Sequence, residues 1–259
     1  MKYTLLRRLV QFLILGLFIA GNCYGFKILQ GNLSSSVLFG VINLSDPFAV
    51  LQLFLASFSL GALSMVGALI IFAFYALIAP RAFCGWVCPI NILTDLAAWI
   101  RKVLNIQTKM FSVSKNARYY LLVLVLLCSG LFSIAAFEIL NFVGFFTRAV
   151  VSLSVSAFSI AAIIVIFEIF AGNRIICSHI CPLGGFWAIA SKFSLIRIYH
   201  NANKCTKCNK CKSVCPEVQV LKMVSKESFK IDSECISCGR CVQICDDDAL
   251  NFSILGVKK

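Results

Sequence analysis

Charge is scarce in this sequence, and acidic charge most of all. Only 14% of its 259 residues are charged, with 11 Asp and Glu against 24 Lys and Arg. Beside 60% hydrophobic residues and a mean hydropathy of +0.90, so small a charged fraction excludes the ordinary soluble domain and points to the bilayer. Histidine is scarcer still. His179 and His200 are the only two, and a lone His is more often a hydrogen-bonded structural residue than a ligand. A cleavage site is also lacking: the basic start and apolar run resemble a secretory signal, but Ala20-Gly21-Asn22 is not a small-x-small sequence, so this segment reads as a retained helix. The net charge of +13 would raise nucleic acid as a partner for a soluble chain. In a membrane chain it marks cytoplasmic loops and anionic headgroups, and nucleic acid is not expected.

What is abundant is apolar length. Four stretches, near Leu9–Phe26, Leu55–Ala79, Tyr119–Phe137 and Ala149–Ala171, reach about the 20 residues that a hydrocarbon core demands. Of the 24 Lys and Arg, all but Lys27 and Arg148 lie in residues 1–8, 81–118 and 172–259. The positive-inside rule then predicts a multi-pass protein of the bacterial inner membrane with both termini and the tail in the cytoplasm, and residues 27–54 and 138–148 outside. The expected fold is a membrane all-α domain of four transmembrane helices over residues 1–199, followed by a cytoplasmic α+β domain over 200–259. The membrane part repeats itself: Arg81-Ala-Phe-Cys84-Gly-Trp-Val-Cys88-Pro89 follows the second stretch and Arg174-Ile-Ile-Cys177-Ser-His-Ile-Cys181-Pro182 the fourth. Two helix pairs, each ending in R-x-x-C-x-x-x-C-P, would be parallel repeats.

Fourteen cysteines at such close separations suit metal or redox chemistry better than disulfides. The tail carries Cys205-x2-Cys208-x2-Cys211-x3-Cys215-Pro216 and Cys235-x2-Cys238-x2-Cys241-x3-Cys245. Three thiolates at this spacing wrap three corners of a cubane and the fourth reaches to the other one, the pattern of a bacterial-type 2[4Fe–4S] ferredoxin. One cluster is therefore assigned Cys205, Cys208, Cys211 and Cys245, and the other Cys235, Cys238, Cys241 and Cys215. Zinc, which asks for paired knuckles of two, fits less well. Asp246, Asp247 and Asp248 follow Cys245 where a proline is usual, whereas Lys204, Lys207, Lys210 and Lys212 surround the first run. This asymmetry is expected to set the two potentials apart.

For Cys84, Cys88, Cys177 and Cys181 three readings stand: redox dithiols, shared ligands of a metal centre, or a device that seats helix ends, with thiols on one face and the proline ending the helix. Cys23 and Cys128, alone in apolar stretches, are expected in the core. Asp46, Glu138 and Glu168 are candidates for a proton or quinol route, and Gly31–Phe48 for either an interfacial helix or the lining of a quinol pocket.

At these residues the chain resembles the NapH family, membrane-bound ferredoxin-type subunits of a quinol dehydrogenase that serves periplasmic nitrate reductase. The likeness rests on GNLSSSVLFG and LSDPF within 31–48, FCGWVCPINILTDLAAWIRK (83–102), CSHICPLGGFW (177–187), SLIRIYH (194–200) and CTKCNKCKSVCPEVQVL (205–221). It implies four helices, two cytoplasmic [4Fe–4S] clusters, and electrons passed from menaquinol or ubiquinol through a NapG-like ferredoxin subunit to the nitrate reductase system. The chain would be an electron-transfer subunit rather than an enzyme by itself. The competing reading is an assembly factor whose ferredoxin domain reduces a metal or thiol in a client enzyme.

Overall fold

The computed structural model describes residues 2–57, 61–106 and 114–254. Three residues of the expected second span, Lys109 of the middle loop and the last five residues of the tail lie outside them. In chain order the elements are α1 (Lys2–Cys23), β1 (Leu29–Gly31), β2 (Ser35–Leu38), β3 (Ile42–Ser45), α2 (Pro47–Ser57), α3 (Ala62–Ile78), α4 (Ile90–Val103), α5 (Ala117–Phe132), α6 (Ala136–Leu140), α7 (Phe142–Val151), α8 (Ser156–Ala171), α9 (Pro182–Ala190), β4 (Ile196–His200), α10 (Lys210–Val214), β5 (Phe229–Lys230), α11 (Arg240–Gln243) and β6 (Leu250–Ile254). Two π-helical turns, Phe83–Val87 and Ile176–Ile180, stand between α3 and α4 and between α8 and α9.

The four apolar stretches are helical, and all but the first are divided between helices. Among the described residues α1 alone, at 22 residues, is long and apolar enough to cross a membrane by itself. The third stretch breaks at Ser133, which takes a left-handed φ of 53° to end α5, and the fourth begins late because Leu153 does the same between α7 and α8.

The chain forms two compact units. One comprises residues 11–72 and 88–186. Residues 31–45 do not form the interfacial helix that is one of the two expectations for Gly31–Phe48. Instead β1, β2 and β3 form an antiparallel meander. The sequence turns back sharply because the Asn32 side chain accepts hydrogen bonds from the Ser34 and Ser35 amides, and such an Asx turn competes with helix. A small sheet therefore interrupts the expected all-α domain. Below it, Gln52 of α2 is fully buried and accepts from the Phe137 amide at 2.7 Å and the Ser129 hydroxyl at 3.4 Å, which ties α2 to α5 and α6. In the same unit, Arg174 pairs with Asp95 of α4. Cys23 is exposed, contrary to its expected place in the core, and its thiol meets the Val151 carbonyl.

The other unit comprises residues 1–10, 73–87 and 187–259. Its sheet has the order β5-β4-β6, all antiparallel. The expected boundary at 199/200 falls inside β4. His200 is fully buried against this sheet, with Nδ1 2.9 Å from the Glu227 carbonyl. The core is small: Ile198, Val220, Leu221, Val224, Ile231 and Leu250, completed by Cys211, Cys235 and Cys241.

Candidate iron–sulfur sites and their setting

Both cysteine runs fold by one rule. In the first, Lys207 and Asn209 on either side of Cys208 have φ of 61° and 57°; in the second, Ser237 and Gly239 on either side of Cys238 have φ of 49° and 70°. Left-handed residues flanking the central cysteine curl the backbone into a concave loop whose N–H groups can face a negative group. The third cysteine of each run then starts a short helix, α10 or α11.

The structure gathers the cysteines in two sets. Cys211 lies close to Cys205, Cys208 and Cys245. Cys215, Cys235, Cys238 and Cys241 line one small cavity together with Ile198, Val220 and Leu221. Burial pushes the Cys215 thiol up to about 12 and moves Cys235 and Cys241 in the same direction. Thiolates in such a place need a bound cation. No three His, Cys, Asp or Glu side chains among the described residues converge as ligands of one metal ion would. An apolar cavity ringed by four sulfurs suits a multi-iron cluster, and the Ser237 amide already points at Cys235 Sγ, 3.4 Å away.

The sets differ in exposure. Cys208 is exposed, whereas Cys235, Cys238 and Cys241 are buried. What covers the second set comes from far along the chain. Arg81, 1% exposed, donates to Glu217 Oε1 at 2.9 Å and to the Glu234 carbonyl at 3.0 Å. Trp86 Nε1 donates to the Ser237 carbonyl at 3.0 Å, and the Ser237 hydroxyl to the Pro80 carbonyl at 2.8 Å. Removing one partner of a buried pair such as Arg81–Glu217 leaves an uncompensated charge at about 3–5 kcal/mol. Pro80, Arg81 and Trp86, at the start of the first duplicated motif, are thus fastened to the loop of Cys235 and Cys238.

The acidic run is not where the asymmetry argument puts it. Lys210 Nζ lies 2.7 Å from Asp246 Oδ2, and the Thr206 amide donates to Asp247. These contacts hold Asp247 below the usual carboxylate range and raise Lys210. Basic and acidic runs therefore meet beside the same cysteine set and offset each other in solvent. Lys210→Gln and Asp246→Asn should shift the potential of the exposed site in opposite directions, and the double variant should return it close to that of the wild type. Redox titration followed by EPR reads all three.

The two duplicated motifs share a fold: Arg81 and Arg174 have φ of 44° and 56°, a π turn follows, and the proline opens the next helix. Proline here starts a helix rather than ending one, as its fixed φ and missing N–H permit at a first turn. Cys177 lies close to Cys88 and Cys181, and burial first, then these neighbours, keeps its thiol protonated. Glu168 accepts from the Ile175 and Ile176 amides at 3.1 and 2.8 Å and so caps the second π turn. Glu138 pairs with Arg148 at 2.6 Å on the surface.

Asp46 precedes α2 and accepts from the Phe48 amide at 3.0 Å. Burial, reinforced by the Glu138 charge and opposed by that hydrogen bond, pushes its carboxyl up to about 7. A carboxyl with a folded pKa raised from about 3.9 stabilises fully below that pH and loses its contribution as pH rises through about 7. Asp46→Asn should remove most of the fall in melting temperature between pH 4 and 7, measured by circular dichroism in detergent.

Two family descriptions match the chain. The "4Fe-4S binding domain" matches twice, at residues 60–107 and 153–198, around the two duplicated motifs, and the "4Fe-4S dicluster domain" matches residues 197–246. The chain is 37% identical to the ferredoxin-type protein NapH of Haemophilus influenzae over 97% of its length and 90% of that protein. It is 34% identical to NapH of Escherichia coli over 97% and 89%. It is also 37% identical to the methylamine utilization ferredoxin-type protein MauN of Paracoccus denitrificans over 85% and 78%. No solved structure matches.

Proposed function

Because the chain belongs to the NapH family of ferredoxin-type proteins and is an iron–sulfur electron-transfer protein, we propose that it takes electrons from a membrane quinol and hands them to a soluble ferredoxin partner. The proposal includes four membrane spans at the expected positions, a cytoplasmic tail, and two [4Fe–4S] clusters. Cys205, Cys208, Cys211 and Cys245 hold one cluster, and Cys215, Cys235, Cys238 and Cys241 the other. The client is a periplasmic nitrate reductase reached through a NapG-like subunit.

One observation carries this reading: the second cysteine set is roofed by Arg81, Gly85 and Trp86, residues of the segment that follows an apolar helix, while the first set keeps an exposed cysteine. Each cluster, when bound, supplies one-electron chemistry. The chain's residues do the rest. The apolar cavity excludes water from the second set, Trp86 and Ser237 hold its loop, and exposed Cys208 with its lysines presents the other set to a partner. A quinol gives two electrons and two protons; Asp46, in the outward segment, receives one proton at its carboxylate and water on that side takes the other.

The test is the purified chain with its partner subunit, carrying eight irons per chain and given a quinol analogue anaerobically. Bleaching of the cluster absorbance is expected. Loaded protein that stays oxidised sinks the reading. In cells lacking the chain, the client enzyme should be fully loaded with its cofactors yet starved of electrons; an assembly factor would leave it unloaded.

A further inference from the structure

Arg7 lies on α1, some 230 residues from the second cysteine run, yet it is fully buried and its guanidinium hydrogen-bonds Cys238. One helical turn earlier Tyr3 shares its face and packs on the same loop. A Cβ at Gly239 would stand 2.9 Å from the Tyr3 ring, and that ring meets Phe252 of β6 at 5.5 Å. Gly239 has φ of 70°, so the loop both needs a glycine for its turn and uses the missing side chain to admit Tyr3. The first turns of α1 are thus a clamp with an aromatic jaw and a cationic jaw, closed on Cys238–Arg240.

We propose that Arg7 is a positioning residue for the site of Cys215, Cys235, Cys238 and Cys241, and that its hydrogen bond to Cys238 Sγ raises the reduction potential of that site alone. The inference rests on the two-cluster reading above. Gaining one electron, with no proton, adds a negative charge spread over the sulfur ligands. A guanidinium N–H directed at one of those sulfurs stabilises the reduced form more than the oxidised form. The charges around this site include Arg7, Arg8, Arg240, Arg81 and Arg197 against Glu217, Glu234 and Asp232. Arg81 is paired with Glu217, whereas Arg7 makes its hydrogen bond to the ligand itself. At the exposed site the charges are paired in water and screened. Arg7 therefore acts on one site and leaves the other untouched.

The experiment is Arg7→Gln in the full chain, with iron counted and both potentials read by EPR during dithionite titration. Expected is a fall of one potential by at least the 59 mV that corresponds to a tenfold loss in the reduced-to-oxidised ratio for one electron, with the other potential unmoved. Cys208→Ser alters the spectrum of the exposed site and so identifies the signal that shifts, which should be the unaltered one. Arg8→Gln, on a neighbouring face, should move it less. Equal shifts at both sites, or none in protein with eight irons, overturn the proposal. Should Arg7→Gln lose iron, Arg7→Lys keeps the charge without the planar fork. A smaller fall at the same site then supports the proposal and an unchanged potential overturns it. Wild-type protein with fewer than eight irons sinks the two-cluster reading instead, so the two failures are distinguishable.

Discussion

Gly85→Ala should stop electrons from the proposed quinol donor reaching the tail while leaving its reduction by dithionite intact. The reason is one distance. A Cβ at residue 85 would stand 2.2 Å from the Ile236 carbonyl oxygen, a backbone atom that cannot swing aside as a side chain can. Either the loop of Cys235 and Cys238 retreats or the π turn does. Overpacking of this kind costs about 1–3 kcal/mol. It also pulls on the hydrogen bonds from Trp86 to Ser237 and from Ser237 to Pro80, each worth about 1 kcal/mol net. Electron transfer is steep in distance, so a retreat of an ångström or more at the roofed site is felt in rate before it is felt in folding. Anaerobic stopped-flow with a quinol analogue measures the first effect, and the dithionite endpoint with an iron count shows that the clusters survive. Retained quinol reduction in Gly85→Ala would mean that electrons enter elsewhere.

Stripping the iron should unfold residues 196–254 and spare the long helices that precede them. Among the described residues, six aliphatic side chains, Ile198, Val220, Leu221, Val224, Ile231 and Leu250, form this core of the tail, and three cysteines complete it. A chain segment of about 60 residues is near the limit at which an apolar core suffices without a staple. Without iron, the second set leaves protonated thiols around an empty apolar space. Lys207, Asn209 and Ser237 would still be held at positive φ, a cost of about 1 kcal/mol each with nothing to offset it. After oxidative chelation the tail should be cut rapidly by trypsin, at Lys222 and Lys226 among other sites, while most helical circular dichroism remains. Cys241→Ala, which removes a ligand from the buried set, should act in the same direction.

The parts of this molecule that were legible in its sequence are those written in local spacing. The cysteine runs, the duplicated motif and the helical character of the apolar stretches all repeat within a few turns of chain. The meander at Leu29–Ser45 was not legible, because its strands are three or four residues long and their alternation is drowned by apolar neighbours. The π turns were hidden for a similar reason, since five residues carry no measurable period. Arg7 and Tyr3 were invisible because nothing local links residue 7 to residue 238. The pairing of Lys210 with Asp246 is different. Its signal was present: once Cys245 is taken as the fourth ligand beside Cys205, Cys208 and Cys211, the aspartates that follow it must stand near the lysines of the first run. The separation of the two runs along the chain hides that consequence.

The π turns also speak to ancestry. A π turn holds one residue more than an α turn, because its hydrogen bonds span five residues rather than four, as the Cys181 amide does to the Ile176 carbonyl. Both copies of the duplicated motif carry it at the same place, between an arginine at positive φ and a proline that opens a helix. The simplest history is a single insertion in a primordial helix pair, followed by gene duplication, after which one copy's arginine came to hold Asp95 and the other's Glu217.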